Sequence, residues 1–240
     1  MMFYILLFVF SCQMFYYEDE NIKELEVAQV SSEYNIGITK ALSSSVKIHS
    51  LLNDFSFGHG SGNLFHIGKH FFILTAAHVV DNSDTILIEE SNGDIMPASV
   101  VYANESSDVA ILMPVGDFEG TTSSSYIINR QHDLKAKKLH YYGYPQNLEG
   151  FLAVGFVSQS DYKRILMQSY AWFGASGSSV FDASGRVVGV VSAIVTQMDP
   201  YTGSSITPGN LVVVTRVYDL ERNRIREILV NAKAKSRNPD

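Results

Sequence analysis

The chain has 240 residues, of which 46% are hydrophobic and 18% charged, with a formal net charge of −7. A chain of this length and composition can bury a large core, which excludes an intrinsically disordered protein. The acidic balance argues against general nucleic-acid binding, which needs a basic face. The single cysteine excludes an internal disulfide, so packing must stabilise the fold.

The N-terminal segment is predicted to direct export. Residues 1–10 are almost wholly apolar, although no basic residue precedes them. This run is shorter than the roughly 20 apolar residues of a transmembrane helix, and it is typical of a secretory signal. We therefore expect a signal or membrane anchor over residues 1–17. Lipidation of Cys12, which follows the small residue Ser11, is an alternative tether. Residues 18–40 begin with an acidic stretch and are predicted to be a linker.

Short apolar runs of period 2 follow in two sets. The first set, predicted over residues 41–115, contains runs at 46–48, 64–67, 71–74, 85–89, 98–102 and 109–113. The second, predicted over residues 138–217, contains runs at 139–142, 152–157, 164–167, 179–181, 187–194 and 211–217. Residues 116–137 have few apolar repeats, which is typical of a connection. Many short strands separated by turn signals predict β-sandwiches or barrels.

The end of the chain is predicted to be helical over residues 218–240, as a helix and tail. Asp219 can act as an N-cap. Apolar side chains then recur near helical spacing at Leu220, Ile225, Ile228 and Leu229. Basic residues accumulate after this cap, and we expect them to be solvated near the helix C-terminus, where positive charge is favourable. A nucleic-acid or membrane contact is the alternative for this basic end.

Three segments carry the residues of a nucleophilic site, in the order His, Asp, Ser. They are TAAH ending at His78, SDVAIL containing Asp108, and GASGS containing Ser176. A serine hydroxyl needs an imidazole to take its proton and a carboxylate to orient that imidazole. The hypothesis is that His78 is the general base, Asp108 orients it and Ser176 is the nucleophile. The backbone N–H groups of Gly174 and Ser176 are predicted to form the oxyanion hole.

Other triad orders fit this chain less well. An α/β-hydrolase needs the pattern GxSxG and a histidine after the serine, whereas the last histidine here is His140. A subtilisin-like order would require Asp54, which lies in a predicted turn. The order His, Asp, Ser is that of the double β-barrel proteases.

Several further segments support a family resemblance. They are GSG at 60–62, TAAHVV at 75–80, GYP at 143–145, GASGSSVF at 174–181 and GVVSAI at 189–194. Together they resemble the trypsin-like (chymotrypsin-fold) serine peptidases, and within them the bacterial HtrA-type and glutamyl-endopeptidase-type branch. The resemblance runs from about residue 41 to about residue 229.

The resemblance implies an all-β fold. Its two six-stranded antiparallel β-barrels are expected to pack with the active site between them, followed by a C-terminal α-helix. It also implies a serine endopeptidase that works through an acyl-enzyme. An HtrA-type protein would carry a PDZ domain after the protease, and this chain is expected to lack one. Because animal secreted members usually contain several disulfides, a bacterial or viral origin is expected.

The resemblance also indicates where specificity is set. Tyr170 and Ala171 are expected to floor the primary pocket, while Ser192, Ala193 and Ile194 run beside the substrate backbone. No acidic residue lies at that floor to pair with a buried basic side chain. A small or medium apolar side chain is therefore expected before the cleaved bond. No cofactor and no metal are expected, since the chain lacks a His-Glu-x-x-His pattern.

The expected partner is a protein or peptide substrate, with no nucleic acid. The protein is expected to be exported, as a periplasmic, secreted or membrane-tethered chain, and its oligomeric state stays open. The alternative function is a catalytically weak or inactive protease-fold module that binds a partner while tethered by its N-terminus.

Overall fold

The computed structural model describes residues 36–52, 56–146, 148–198, 205–206 and 210–237. The signal or anchor predicted over residues 1–17, with Cys12, lies outside these residues, as do Asp54 and most of the predicted linker. Within the described ranges, no helix is both long enough and apolar enough to cross a membrane.

The first half of the chain forms a closed antiparallel barrel. Its six strands are β1 (Ser45–Leu52), β2 (Phe57–Ile67), β3 (His70–Thr75), β4 (Ser83–Glu89), β5 (Ile95–Asn104) and β6 (Val109–Pro114). They follow the order β1-β4-β5-β6-β3-β2, and pairing of β1 with β2 closes the barrel. The short strand β7 (Ser124–Ser125) pairs in parallel with the end of β2.

The second half forms another closed barrel. Its strands are β8 (Lys138–Gly143), β9 (Phe151–Ser160), β10 (Arg164–Gln168), β11 (Ser179–Asp182), β12 (Val187–Ile194) and β15 (Leu211–Arg216). They close in the order β10-β15-β12-β11-β8-β9. Between β12 and β15, the strands β13 (Gln197–Met198) and β14 (Ser205–Ile206) form a small two-stranded sheet.

Three helices complete the described structure: α1 (Ile36–Ser44), α2 (Ala77–Val80) and α3 (Arg222–Arg237). The prediction of two six-stranded antiparallel barrels followed by a C-terminal helix is confirmed. Helix α1 was not expected from the sequence. Its Ala41 is buried in a core that also includes side chains of both barrels, so tertiary packing accounts for the helix.

The apolar pattern of each strand reflects whether one or both of its faces are buried. In β9 the residues at 153, 155 and 157 are buried while those at 152, 154 and 156 are exposed, as expected for a strand with one covered face. Strands β3 and β12 contain continuous buried runs instead. Each barrel has its own apolar core, and a third core lies between the barrels and α3. In that third core the rings of Phe65 and Phe181 lie 6.0 Å apart, joining the two barrels.

A buried carboxylate fixes the connection between the barrels. Glu90, which follows β4, is only 4% exposed. Its carboxylate accepts the backbone N–H groups of Glu119, Gly120 and Thr121 at 3.3, 2.9 and 2.7 Å. The Ser91 hydroxyl donates to the Gly120 carbonyl at 2.6 Å. The start of the connection is therefore bound to the turn between β4 and β5.

Replacing this carboxylate should destabilise the protein. Glu90→Ala is expected to lower the free energy of unfolding by about 2–4 kcal/mol, because three N–H groups lose a charged acceptor. Urea denaturation measures the change. Glu119→Ala is the matched control, since it removes an exposed carboxylate and leaves the backbone N–H in place. Equal losses of stability in the two variants would contradict the role given to Glu90.

Candidate active site

The first pair of predicted site residues is joined by several hydrogen bonds. His78 lies on α2, directly after β3, and Asp108 directly precedes β6. The Nδ1 atom of His78 lies 2.9 Å from both carboxylate oxygens of Asp108, and the His78 backbone N–H donates to Oδ1 at 3.0 Å. Because a carboxylate accepts only, Nδ1 carries the hydrogen. In the neutral ring Nε2 is then the nitrogen that can accept a proton.

Asp108 has a second partner residue in Ser192, whose hydroxyl donates to Oδ2. Burial of the Asp108 carboxyl opposes its ionisation. The hydrogen bonds from His78 and Ser192 outweigh burial, so the pKa of Asp108 lies below its ordinary value. Ser192 was predicted to lie beside the substrate on β12. That prediction concerns its backbone and stays a prediction, whereas the bond from its side chain to Asp108 is a role that sequence reasoning missed.

The loop that carries Ser176 is bonded to both barrels. The carbonyl of Ser176 accepts the N–H of Ser61, on β2, at 2.8 Å. The N–H of Gly177 donates to the carbonyl of Val191, on β12, at 2.8 Å. Gly177 has φ +89, and a Cβ there would lie 2.1 Å from the Ser61 carbonyl oxygen and 2.2 Å from Thr75 Oγ1. Only glycine satisfies both this conformation and this space.

Two residues that contact the Ser176 loop, Thr75 and Val191, lie close in the chain to His78 and to a partner of Asp108. Thr75 ends β3 three positions before His78. Val191 immediately precedes Ser192, whose hydroxyl reaches Asp108. The structure therefore brings the segments that carry His78, Asp108 and Ser176 together where the two barrels meet.

The peptide before Gly174 has a fixed orientation. The carbonyl of Phe173 accepts the backbone N–H of Gln146 at 2.7 Å. In a trans peptide the N–H points away from the carbonyl. The N–H of Gly174 therefore faces away from Gln146.

The peptide before Ser176 is fixed in the same way. The carbonyl of Ala175 accepts the N–H of Ser178 at 3.2 Å, so the Ser176 N–H points in the opposite direction. The groups on Gly174 and Ser176 are those predicted as oxyanion donors. In the described part of the chain, neither N–H has an intramolecular acceptor.

The predicted primary pocket is apolar. Ala171 is 2% exposed and belongs to the core of the second barrel, whereas Tyr170 is 47% exposed. On β12, Ala193 is exposed and Ile194 is half-buried against the same core. Ile194 pairs with Val212 of β15. None of these side chains carries a charge that could pair with a charged substrate residue.

His59 forms a wall behind Gly174. A Cβ on Gly174, whose φ is +95, would lie 2.4 Å from His59 Nε2 and 2.5 Å from the Tyr144 carbonyl oxygen. Burial, followed by the charges of Lys47 and His49, lowers the pKa of His59. His59 therefore stays neutral over a wider pH range than an exposed histidine. The His59 side chain lines a cleft of about 810 Å³.

Within the described ranges, no group of three or more His, Cys, Asp or Glu side chains is arranged to hold a metal.

The contact between Ser192 and Asp108 predicts a change in titration. Ser192→Ala removes one of the hydrogen bonds that lower the pKa of Asp108, so this pKa should rise toward its ordinary value. The lowered pKa stabilises the fold above the unfolded-state pKa, and this stabilisation is lost as pH falls through the folded-state pKa. In the variant this stabilisation should therefore be smaller, and its loss should be complete at a higher pH.

Carbon-13 NMR of the Asp108 carboxyl measures the titration directly in both proteins. Ser158→Ala, on the exposed face of β9, is the matched control and should titrate as the wild type does. An Asp108 pKa that is unchanged or lower in Ser192→Ala would show that the hydroxyl does not stabilise the carboxylate.

Comparison with protein families gives one match over most of the two barrels. A family model described as a trypsin-like peptidase domain matches residues 60–190, which is more than half of the 240 residues.

Two curated relatives illustrate the sequence similarity. A probable periplasmic serine endoprotease, DegP-like, from Halomonas elongata is 30% identical over 156 residues, covering 61% of this chain and 31% of that protein. Serine protease HTRA1 from Xenopus tropicalis is 26% identical over 156 residues, covering 57% of this chain and 32% of that protein. The matched region thus spans about a third of the length of these relatives.

Solved structures share the fold. The serine endoprotease from Yersinia pestis matches with a TM-score of 0.61 at 19% identity, over 82% of this chain and 66% of that chain. A protease from M. tuberculosis in its active form matches with a TM-score of 0.63 at 18% identity, over 83% of this chain and 85% of that chain. At this identity the likeness concerns the fold alone.

Proposed function

Because the chain belongs to the trypsin-like peptidase family, we propose that it is a serine endopeptidase that acts on proteins or peptides. The observation that carries the proposal is the pair of 2.9 Å contacts between His78 Nδ1 and the Asp108 carboxylate. These contacts leave Nε2 as the basic nitrogen, at the junction where the Ser176 loop also lies. An imidazole held in this tautomer is what a serine nucleophile requires.

The proposed reaction begins when Ser176 Oγ attacks the substrate carbonyl carbon and its proton passes to His78 Nε2. Asp108 stabilises the resulting imidazolium through the bond to Nδ1. The negative oxygen of the tetrahedral intermediate accepts the N–H groups of Gly174 and Ser176, and each such donor contributes about 3–4 kcal/mol to transition-state stability. The intermediate then collapses, and the C–N bond breaks as His78 gives its proton to the departing amine. An acyl-enzyme on Ser176 remains.

The second half of the reaction repeats these roles with water. His78 takes a proton from water as its oxygen attacks the acyl carbon, and the same two N–H groups bind the oxyanion. Collapse breaks the ester bond, returns the proton to Ser176 Oγ and releases the carboxylic acid product. No cofactor is needed for either half.

Loss of the nucleophile should abolish hydrolysis. Ser176→Ala and His78→Ala are each expected to lower kcat by at least about a thousandfold. Both variants should unfold at the same temperature as the wild type, because both positions are partly open to solvent. A chromogenic peptide assay measures the change, and Ser158→Ala is the surface control. Undiminished turnover in Ser176→Ala would refute the assignment. A folded wild type without turnover would favour the binding-module alternative.

We propose a preference for a small or medium apolar residue before the cleaved bond. The support is that none of the residues predicted to line the pocket is charged and that Ile194 among them packs half-buried against the core of the second barrel. A buried charged substrate side chain would lose its hydration there without gaining a partner.

A peptide library tests this preference. The wild type should cleave after Ala, Val or Leu, and Ile194→Ala should shift cleavage toward larger apolar residues because the pocket widens. Ile95→Ala, on an exposed face of β5, removes the same atoms at a distant strand and should leave the profile unchanged. A wild-type profile dominated by Arg, Lys or Glu would contradict the proposed pocket.

We also propose that the protein is exported. The support is the apolar run over residues 1–10 and the periplasmic location in the name of the Halomonas elongata relative. A tether to the membrane, through residues 1–17 or a lipidated Cys12, remains part of this proposal rather than of the described structure.

A further inference from the structure

Ser61 lies on β2 where the barrels meet, with 0% of its surface exposed. Its backbone N–H donates to the Ser176 carbonyl at 2.8 Å, and its own carbonyl accepts the Thr75 hydroxyl at 2.7 Å. Its hydroxyl donates to the Gly174 carbonyl at 2.7 Å and accepts the N–H of Tyr144 at 2.8 Å. The three polar groups of Ser61 therefore make four hydrogen bonds, and two of the partners belong to the Ser176 loop.

Those two carbonyls belong to the residues whose N–H groups form the proposed oxyanion hole. The loop also contains two glycines with positive φ, Gly174 at +95 and Gly177 at +89. Glycine has more backbone freedom than any other residue, so this loop can adopt several conformations. Bonds from outside the loop are needed to hold the one that presents both N–H groups.

We propose that the Ser61 hydroxyl is a positioning group that holds the oxyanion-hole loop in its productive conformation. This inference rests on the proposed serine endopeptidase function. Any residue except proline at this position could supply the backbone bond to the Ser176 carbonyl. The bond to the Gly174 carbonyl requires a side-chain donor, and the bond from Tyr144 requires an acceptor on the same atom. A hydroxyl provides both.

Removing the hydroxyl should slow catalysis more than it weakens substrate binding. In Ser61→Ala, the Gly174 carbonyl and the Tyr144 N–H are left without their buried partner, so the loop relaxes. We expect kcat to fall by roughly 100-fold, the lower end of the loss seen when one oxyanion donor is removed. KM should change by less than about threefold, because none of the four hydrogen bonds described for Ser61 reaches Ala171 or Ile194 of the predicted pocket.

Ser44→Ala is the matched control. Ser44 is also 0% exposed, and its hydroxyl donates to the Lys40 carbonyl at 2.7 Å and accepts from Asn63 Nδ2 at 3.0 Å. It lies on α1 and makes no bond to residues 173–177. This variant therefore loses a buried hydroxyl with one donated and one accepted bond, without touching the loop. Its kcat should match that of the wild type.

Ser61→Cys is the conservative variant. The thiol is a weaker donor and a weaker acceptor than a hydroxyl, so kcat should lie between the values for the wild type and Ser61→Ala. If Ser61→Ala shows no thermal transition, Ser61→Cys decides the question. Wild-type kcat in Ser61→Cys, with the thiol in place of the hydroxyl, would then overturn the proposal.

Trp172 gives a measurement that does not depend on catalysis. It is the single tryptophan of the chain, 42% exposed, and its carbonyl accepts the Ala175 N–H at 2.9 Å. Its fluorescence emission therefore reports on the loop. Ser61→Ala should shift this emission, while Ser44→Ala should reproduce the wild-type spectrum.

Measurement of kcat and of Trp172 emission distinguishes a failure of the proposed endopeptidase function from a failure of the proposed role of Ser61. A folded wild type that hydrolyses no peptide contradicts the proposed function, and the Trp172 emission still shows whether Ser61 holds the loop. An active wild type is expected, with reduced kcat and shifted emission in Ser61→Ala. The positioning role is overturned if Ser61→Ala keeps wild-type kcat and emission. It is equally overturned if Ser44→Ala loses as much kcat, since that indicates general destabilisation.

Discussion

The close approach of the Ser176 loop to β2 is the constraint on which the arrangement of the site depends. A Cβ on Gly177 would overlap the Ser61 carbonyl oxygen, whereas one on Gly60 would first meet the Val79 side chain at 2.6 Å. The absence of a Cβ at Gly177 thus lets a loop of the second barrel pack against a strand of the first. This contact places the Ser176 loop beside Thr75, three positions before His78.

Electrostatics at the site depends on the same junction. Asp108 precedes a strand of the first barrel, while the Ser192 hydroxyl that it accepts comes from the second. Asp108 also has φ +48, an uncommon conformation that aspartate tolerates better than most residues. Its hydrogen bonds keep the carboxylate ionised, and an ionised carboxylate beside Nδ1 is what favours the imidazolium formed during the proposed reaction. The docking of the two barrels therefore supplies one of the hydrogen bonds that keep Asp108 ionised for the proposed proton transfer.

Much of the fold could be predicted from the sequence because its strands follow simple rules. Apolar runs of period 2 located most barrel strands. The helix α1 and the short strand β7 were not located in this way, since each depends on packing against distant strands rather than on its own pattern. For the site, motif order located the three candidate residues.

The roles of the neighbouring serines could not be predicted in the same way. The hydroxyl of Ser61 bonds a residue 113 positions away, and that of Ser192 bonds a residue 84 positions away. Such pairs follow from how the two barrels dock, which a local pattern does not encode.

Covalent labelling is the most direct test of whether Ser176 is an activated nucleophile. Folded wild-type protein would be treated with a phosphonate probe for active-site serines, digested and mapped by mass spectrometry, beside Ser176→Ala and Ser158→Ala. We expect one adduct, on Ser176, in the wild type and in Ser158→Ala, and none in Ser176→Ala. A folded wild type without an adduct, or an adduct that persists in Ser176→Ala, would contradict the assignment of Ser176 as the nucleophile.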